Sequence, residues 1–245
     1  MKNRDHTGVR YYIFTIIFIF LNFVYSARGG EIEALDVLGH LQSTFAEIMD
    51  YRVQLHAEID MDQVRIPPMD VIVYFKQPDK FHLQSKGFSM LPRLGLFINP
   101  NQFTHKDFSV SLMGKETLKS IEAYKLELVP RKEDMKLRKF ILWVDPGRWI
   151  LLKVHTVSWQ GQSAEIDFEY ALFQKRYWLP ASAIATINLK GFKGFSHFHG
   201  SRGSQKAGPP GSDDKKGRII IQFTHYEINV GLSDSIFEER NLELD

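Results

Sequence analysis

No cysteine occurs anywhere in the 245 residues. That excludes disulfides and thiolate metal sites. It also excludes a lipoprotein-type N-terminal anchor, which needs a cysteine at the cleavage point. A chain of this kind enters an oxidising compartment with nothing to mispair and no covalent support. Familiar catalytic wording is missing as well. There is no G-x-S-x-G, no phosphate-binding glycine loop, no G-x-G-x-x-G after a strand and no H-E-x-x-H. Charge of one sign is not in excess, with 31 basic against 29 acidic residues. What the chain does have is apolar content of 44%, enough for a substantial core at a length that suits one sizeable all-β domain.

The N-terminus departs from the rest. Lys2, Arg4 and Arg10 precede the uncharged apolar run Tyr11–Tyr25, and the small residues Ser26 and Ala27 follow. This is the order of a secretory signal, cleaved after Ser26, leaving residues 27–245 as the mature chain. Fifteen residues of helix reach about 22 Å, short of a bilayer core of roughly 30 Å, which disfavours the competing reading as a retained anchor. Without Lys2, Arg4, Arg10 and Asp5, the mature chain carries 28 basic and 28 acidic residues of the original 31 and 29. Zero net charge argues against nucleic-acid binding through an overall field.

Periodicity then gives the architecture. From Glu31 to about Asp50, the residues Ile32, Leu35, Leu38, Leu41, Phe45, Ile48 and Met49 recur at helical steps. The period switches to two at Tyr51, Val53, Leu55, Ala57, Ile59 and Met61, which alternate with polar residues. Further strands are expected from Val71, around 102–112, 122–129, 137–144, 150–159, 163–173, 177–189 and 218–229. Asp145-Pro146-Gly147-Arg148 reads as a type II turn. In Ala164–Tyr170 the apolar side chains fall on one face, with Glu165, Asp167 and Glu169 on the other. The expected fold is therefore mainly β, with nine to eleven antiparallel strands and one long helix. Such a sheet spans about 40 Å sideways, whereas a helix is about 10 Å wide. Curvature, the apolar segment 86–98, a partner or a ligand must cover the remainder.

Candidate chemistry is sparse. Glu165, Asp167 and Glu169 fit a solvated sheet exterior better than a catalytic carboxylate pair. His197-x-His199 lacks a third ligand, so no metal and no cofactor is assigned. Core packing is the default for Trp143, Trp149, Trp159 and Trp178, with lipid or sugar stacking as the alternative. Residues 190–217, rich in Gly, Ser and Pro, read as an insertion between hairpin strands. There Phe192, Phe195 and Phe198 lie among cations and could touch an anionic membrane; a loop without a task is the competing reading.

Order and local wording resemble a family. The amphipathic helix and long strand lead to Gln77-Pro78-Asp79-Lys80-Phe81, Tyr124-Lys125-Leu126-Glu127-Leu128-Val129-Pro130 and Phe140-Ile141-Leu142-Trp143-Val144-Asp145. Phe223-Thr224-His225-Tyr226-Glu227-Ile228-Asn229 and Leu232-Ser233-Asp234-Ser235-Ile236-Phe237 close the chain. Over about 31–189 and 218–240 this is similar to the LolA/LolB/RseB-like periplasmic lipoprotein carriers. The resemblance departs at Phe88–Phe97 and at the 190–217 insertion.

It implies an incomplete antiparallel β-barrel wrapped around a helix, with an apolar lid over a cavity for acyl chains and no enzymatic activity. It further implies a monomer that touches membranes transiently and exchanges lipid or lipoprotein with an inner-membrane transporter and an outer-membrane receptor. The implied cavity wall is Val53, Leu55, Ile59, Val73, Phe75 and Leu83, and the implied lid Phe88, Leu91, Leu94 and Phe97; inverted strand parity would select the opposite face. A lipid-sensing regulator of a membrane signalling protein, a self-filled structural β-protein, or an enzyme with an unrecognised site are the alternatives.

Overall fold

Strands dominate the computed structural model, which describes residues 32–61, 64–65, 67–85, 99–132, 137–189 and 215–238. They are β1 (Asp50–Met61), β2 (Val64–Arg65), β3 (Met69–Lys76), β4 (Lys80–Ser85), β5 (Phe108–Leu118) and β6 (Ile121–Pro130). Then come β7 (Leu137–Val144), β8 (Leu151–Ser158), β9 (Ser163–Phe173), β10 (Tyr177–Leu189) and β11 (Lys215–Ile228). The sheet runs β4-β3-β1-β11-β10-β9-β8-β7-β6-β5, with β2 paired to β1. All pairings are antiparallel. From β5 to β10 it is the expected meander. The last strand then inserts between β10 and β1, setting Leu55 opposite Phe223. β4 and β5 stand at the two ends, so the barrel is open, as expected.

The helix α1 (Ala34–Ala46) buries Val37, Leu38 and Leu41, the three- and four-residue steps that make one apolar stripe. It ends earlier than the periodicity suggests. Residues 47–49 exchange helical bonds for tertiary ones. Asn229 Nδ2 donates to Glu47 O (3.0 Å), Gln77 Nε2 donates to Ile48 O (3.2 Å), and Met49 N donates to Asn229 Oδ1 (2.7 Å). Ile48 thereby leaves the helix and packs with Leu179 and Ile228. Satisfying backbone groups through a distant asparagine is invisible to a helical period.

A second departure lies before β5. The strand expected from about 102 begins at Phe108 and runs to Leu118. Residues 100–102 form one 3₁₀ turn, in which Asn99 Oδ1 accepts from Asn101 N (2.9 Å). Gln42 of α1 donates to Pro100 O (3.1 Å) and Phe103 O (2.9 Å), tying this turn to the helix. Phe103 is fully buried, with ring centroids 5.4 Å from Phe108 and 5.1 Å from Phe140. The turn thus fixes one end of α1 against β5 and β7.

The inner face of the sheet forms the main core. Val53, Leu55, Ala57, Ile59 and Met61 of β1 pack with Val71, Val73, Ala164, Ile166, Ala183, Ala185, Ile187, Ile219 and Ile221. The outer face is wet and paired. Lys153 Nζ lies 2.7 Å from Glu165 and 3.6 Å from Asp167, and Lys119 Nζ lies 2.8 Å from Glu169. The carboxylate row is the solvated exterior its alternation indicates.

Candidate functional site

A cavity of about 90 Å³ lies between α1 and the inner face of the sheet. Leu41, Thr44, Phe45 and Ile48 line it from the helix and the turn that follows. Opposite them are Tyr51 of β1, Leu151 of β8, Phe168 and Tyr170 of β9, Trp178, Leu179 and Pro180 of β10, and Phe223 and Tyr226 of β11. Pro100, Trp149 and Ile150 complete the wall. None of these side chains carries a charge. Among the described residues, no group of three or more His, Asp or Glu is placed to hold a metal ion.

Two local irregularities bring aromatic rings into this space. Alternation from Ile219, Ile221 and Phe223 would send Tyr226 outward. His225 adopts φ 53°, and the β1–β11 register slips between Arg52 and Gln54. One extra residue in a strand reverses the facing of all that follows. Tyr226 therefore turns inward with Ile228, and its hydroxyl donates to Pro180 O (2.9 Å). The second irregularity corrects the type II turn. That turn needs positive φ at Gly147, but the left-handed residue here is Trp149, at φ 53°. Asp145 Oδ1 accepts from Gly147 N (2.7 Å) and Arg148 N (3.2 Å), and Trp149 N donates to Asp145 O (2.9 Å). The wider loop carries the Trp149 indole to the cavity, stacked 4.3 Å from His40 of α1. Beside it, the Arg148 guanidinium covers the Trp178 ring at 4.9 Å while pairing with Asp145 at 2.7 Å.

Three phenols converge here. Tyr170 donates to Leu151 O (2.8 Å), as Tyr226 does to Pro180 O. Tyr51 packs 5.1 Å from Phe75 and 5.9 Å from Tyr226 by ring centroid. By area Tyr51, Tyr170 and Tyr226 are only half-buried, because they face the cavity. Protein atoms nonetheless crowd them closely. Burial pushes all three phenols well above the ordinary tyrosine range, so they stay protonated donors at any physiological pH.

The residues singled out in the sequence as a cavity wall lie in the inner-face core that Tyr51, Phe168, Phe223 and Tyr226 join to this cavity. Val53, Leu55, Ile59, Val73 and Phe75 are buried on the inner face, and Leu83 is half-buried against the same core. None of the six lines the cavity itself; Phe75 is in ring contact with Phe45 and Tyr51, which do. Phe88, Leu91, Leu94 and Phe97, and Phe192, Phe195 and Phe198, lie outside the described residues. The sequence did contain a pointer to this cavity, since Phe168 and Tyr170 belong to the cleanest alternating strand. Tyr226 and Trp149 were hidden by positive φ angles, which leave no mark in a period.

No protein-family model and no curated protein matches the chain. Solved structures do. A DUF1329 family protein from Desulfovibrio piger is similar with a TM-score of 0.55 at 12% identity, over 85% of this chain and 98% of that one. A LolA superfamily protein from Nitrosomonas europaea is similar with a TM-score of 0.52 at 14% identity, over 84% and 98%. The chain has the LolA-like fold. Both matches span nearly the whole of the solved chains.

Proposed function

We propose that this protein is a non-enzymatic carrier that reversibly binds acyl chains of a lipid or lipoprotein in the cavity beneath α1, in the periplasm, for transfer towards the outer membrane. The observation that carries the reading is a cavity walled by aromatic and aliphatic side chains, free of charge, under a single short helix. Fold likeness alone would not supply it, because folds host many functions. Each methylene that leaves water contributes about 0.8 kcal/mol, so part of one chain suffices for useful affinity.

The closed cavity is smaller than the roughly 150 Å³ apolar cavity that takes benzene, so it admits only a short stretch of chain. Entry of more requires α1 to move off the sheet. Thirteen residues of helix are marginal on their own, and the Gln42 side chain ties α1 to the 3₁₀ turn through Pro100 O and Phe103 O. A closed form only slightly favoured over an open one is what reversible loading needs. Within this reading residues 1–26 are a cleaved signal, and 27–245 are one lipid-binding domain with an insertion at 190–217. Val53, Leu55, Ile59, Val73, Phe75 and Leu83 back the cavity, Phe88, Leu91, Leu94 and Phe97 cap it, and Phe192, Phe195 and Phe198 touch the membrane. An inner-membrane transporter and an outer-membrane receptor are the proposed partners.

Native mass spectrometry of the mature protein purified from the cell envelope, followed by solvent extraction, tests this. Masses shifted by a lipid that extraction recovers are expected. A protein that carries no lipid and takes up no fluorescent acyl probe is not a carrier.

A further inference from the structure

One polar group in the cavity has no task in holding the fold. Tyr170 and Tyr226 direct their hydroxyl protons to backbone carbonyls. The Tyr51 ring is held between Phe75 and Tyr226, yet no described residue makes a hydrogen bond to its hydroxyl. A half-buried phenol that lines the cavity and donates to no described residue can donate to a ligand there. A residue that needed only the ring would be Phe, as at the neighbouring Phe45, Phe168 and Phe223 of the same wall. The Tyr51 hydroxyl is therefore a donor in waiting within an otherwise greasy space.

The charge pattern narrows the acceptor. No Lys, Arg or His lines the cavity, and the nearby Arg148 is engaged by Asp145. A carboxylate or phosphate drawn in would lose its hydration with no cation to replace it, which is strongly unfavourable. An ester carbonyl loses much less and is restored by one O–H donor. Nor could Tyr51 ionise to suit another ligand, because burial holds its phenol protonated.

We propose that the cavity selects uncharged acyl esters over free fatty acids, with the Tyr51 hydroxyl donating to the acyl carbonyl and the chain lying against Leu41, Ile48 and Leu179. This rests on the acyl-binding reading and specifies its ligand class. Acyl chains linked as esters, as in diacylglyceryl groups, satisfy it; ionised fatty acids do not.

Three pyrene-labelled probes of equal chain length, a methyl ester, the free acid at pH 8 and the plain alkane, are titrated into the full mature protein. The wild type should bind the ester about tenfold or more tightly than the carboxylate. Tyr51→Phe should weaken ester binding about fivefold, the worth of one neutral hydrogen bond, and leave alkane binding unchanged. Equal or tighter binding of the carboxylate overturns the proposal, as does undiminished ester binding by a folded Tyr51→Phe protein. The comparison of ester with acid on the wild type stands even if that variant does not fold. Alkane uptake without preference for the ester sinks this inference alone. Failure to bind any of the three sinks the carrier reading with it.

Discussion

Filling the cavity should stabilise the protein and cost it its ligand. Thr44 lines the space from α1, half-buried, with its hydroxyl turned back to His40 O at 3.1 Å. Methionine at 44 replaces that local bond with a flexible chain suited to irregular gaps. Voids cost about 24 cal/mol per Å³, so a cavity of about 90 Å³ leaves about 2 kcal/mol unrealised. Partial filling should recover about 1 kcal/mol, and the better helix propensity of Met a few tenths more. For a domain of this size that raises Tm by about 2–4 °C. The same side chain removes room for about two methylenes, so affinity for an acyl probe should fall tenfold or more. Ser43→Met, on the exposed side of α1 where Ser43 Oγ donates to Gly39 O (2.8 Å), gives the propensity gain without the filling and should bind normally. Thermal unfolding and probe titration on both variants decide it. A Thr44→Met protein with raised Tm and unchanged affinity would place the ligand elsewhere, and a lowered Tm would refute the cavity as usable void.

Other consequences test the scaffold. Phe75→Ala removes a fully buried ring that meets Phe45, Tyr51 and Phe81; urea unfolding should show a loss of about 3–5 kcal/mol. Asp50, buried at 4% exposure, accepts from the backbone N–H groups of Val230, Gly231 and Leu232 at 2.8, 3.0 and 3.2 Å. Asp50→Ala should cost about 2–3 kcal/mol and expose the chain after β11 to proteolysis. On the outer face, burial holds the His155 pKa below that of a free histidine, opposed by Glu165 and reinforced by Lys139, Lys153 and Lys125. The unfolded chain binds that proton first, so stability is full above about pH 6.5 and is lost as pH falls towards the lower folded value. His155→Asn should therefore flatten the decline in Tm between pH 7 and 5; an unchanged slope would assign the decline to other groups.

Strand content, antiparallel pairing and the wet outer row were legible because alternation records which face is buried. The segment Ala164–Tyr170 shows it best, with Ala164 and Ile166 in the core, Phe168 and Tyr170 at the cavity, and Glu165, Asp167 and Glu169 paired with lysines outside. The cavity was less legible. Its position depends on where α1 ends, and that is decided by Asn229 and Gln77, which are remote in sequence. Two of its aromatic walls depend on the left-handed backbone at Trp149 and His225. Trp149 is none of the residue types enriched at positive φ, and His225 is only a weak signal of it. Val53, Leu55 and Ile59 lie in the core; alternation does not tell which inward residues meet each other and which meet open space.

Photo-crosslinking with an acyl ester bearing a terminal diazirine tests the central claim most directly. If the chain is held beneath α1, mass spectrometry should find the label on peptides containing Phe45–Tyr51, Trp178–Pro180 or Tyr226. An excess of unlabelled ester should suppress it. Label that falls on the outer sheet face or does not compete would show that this cavity is not the binding site.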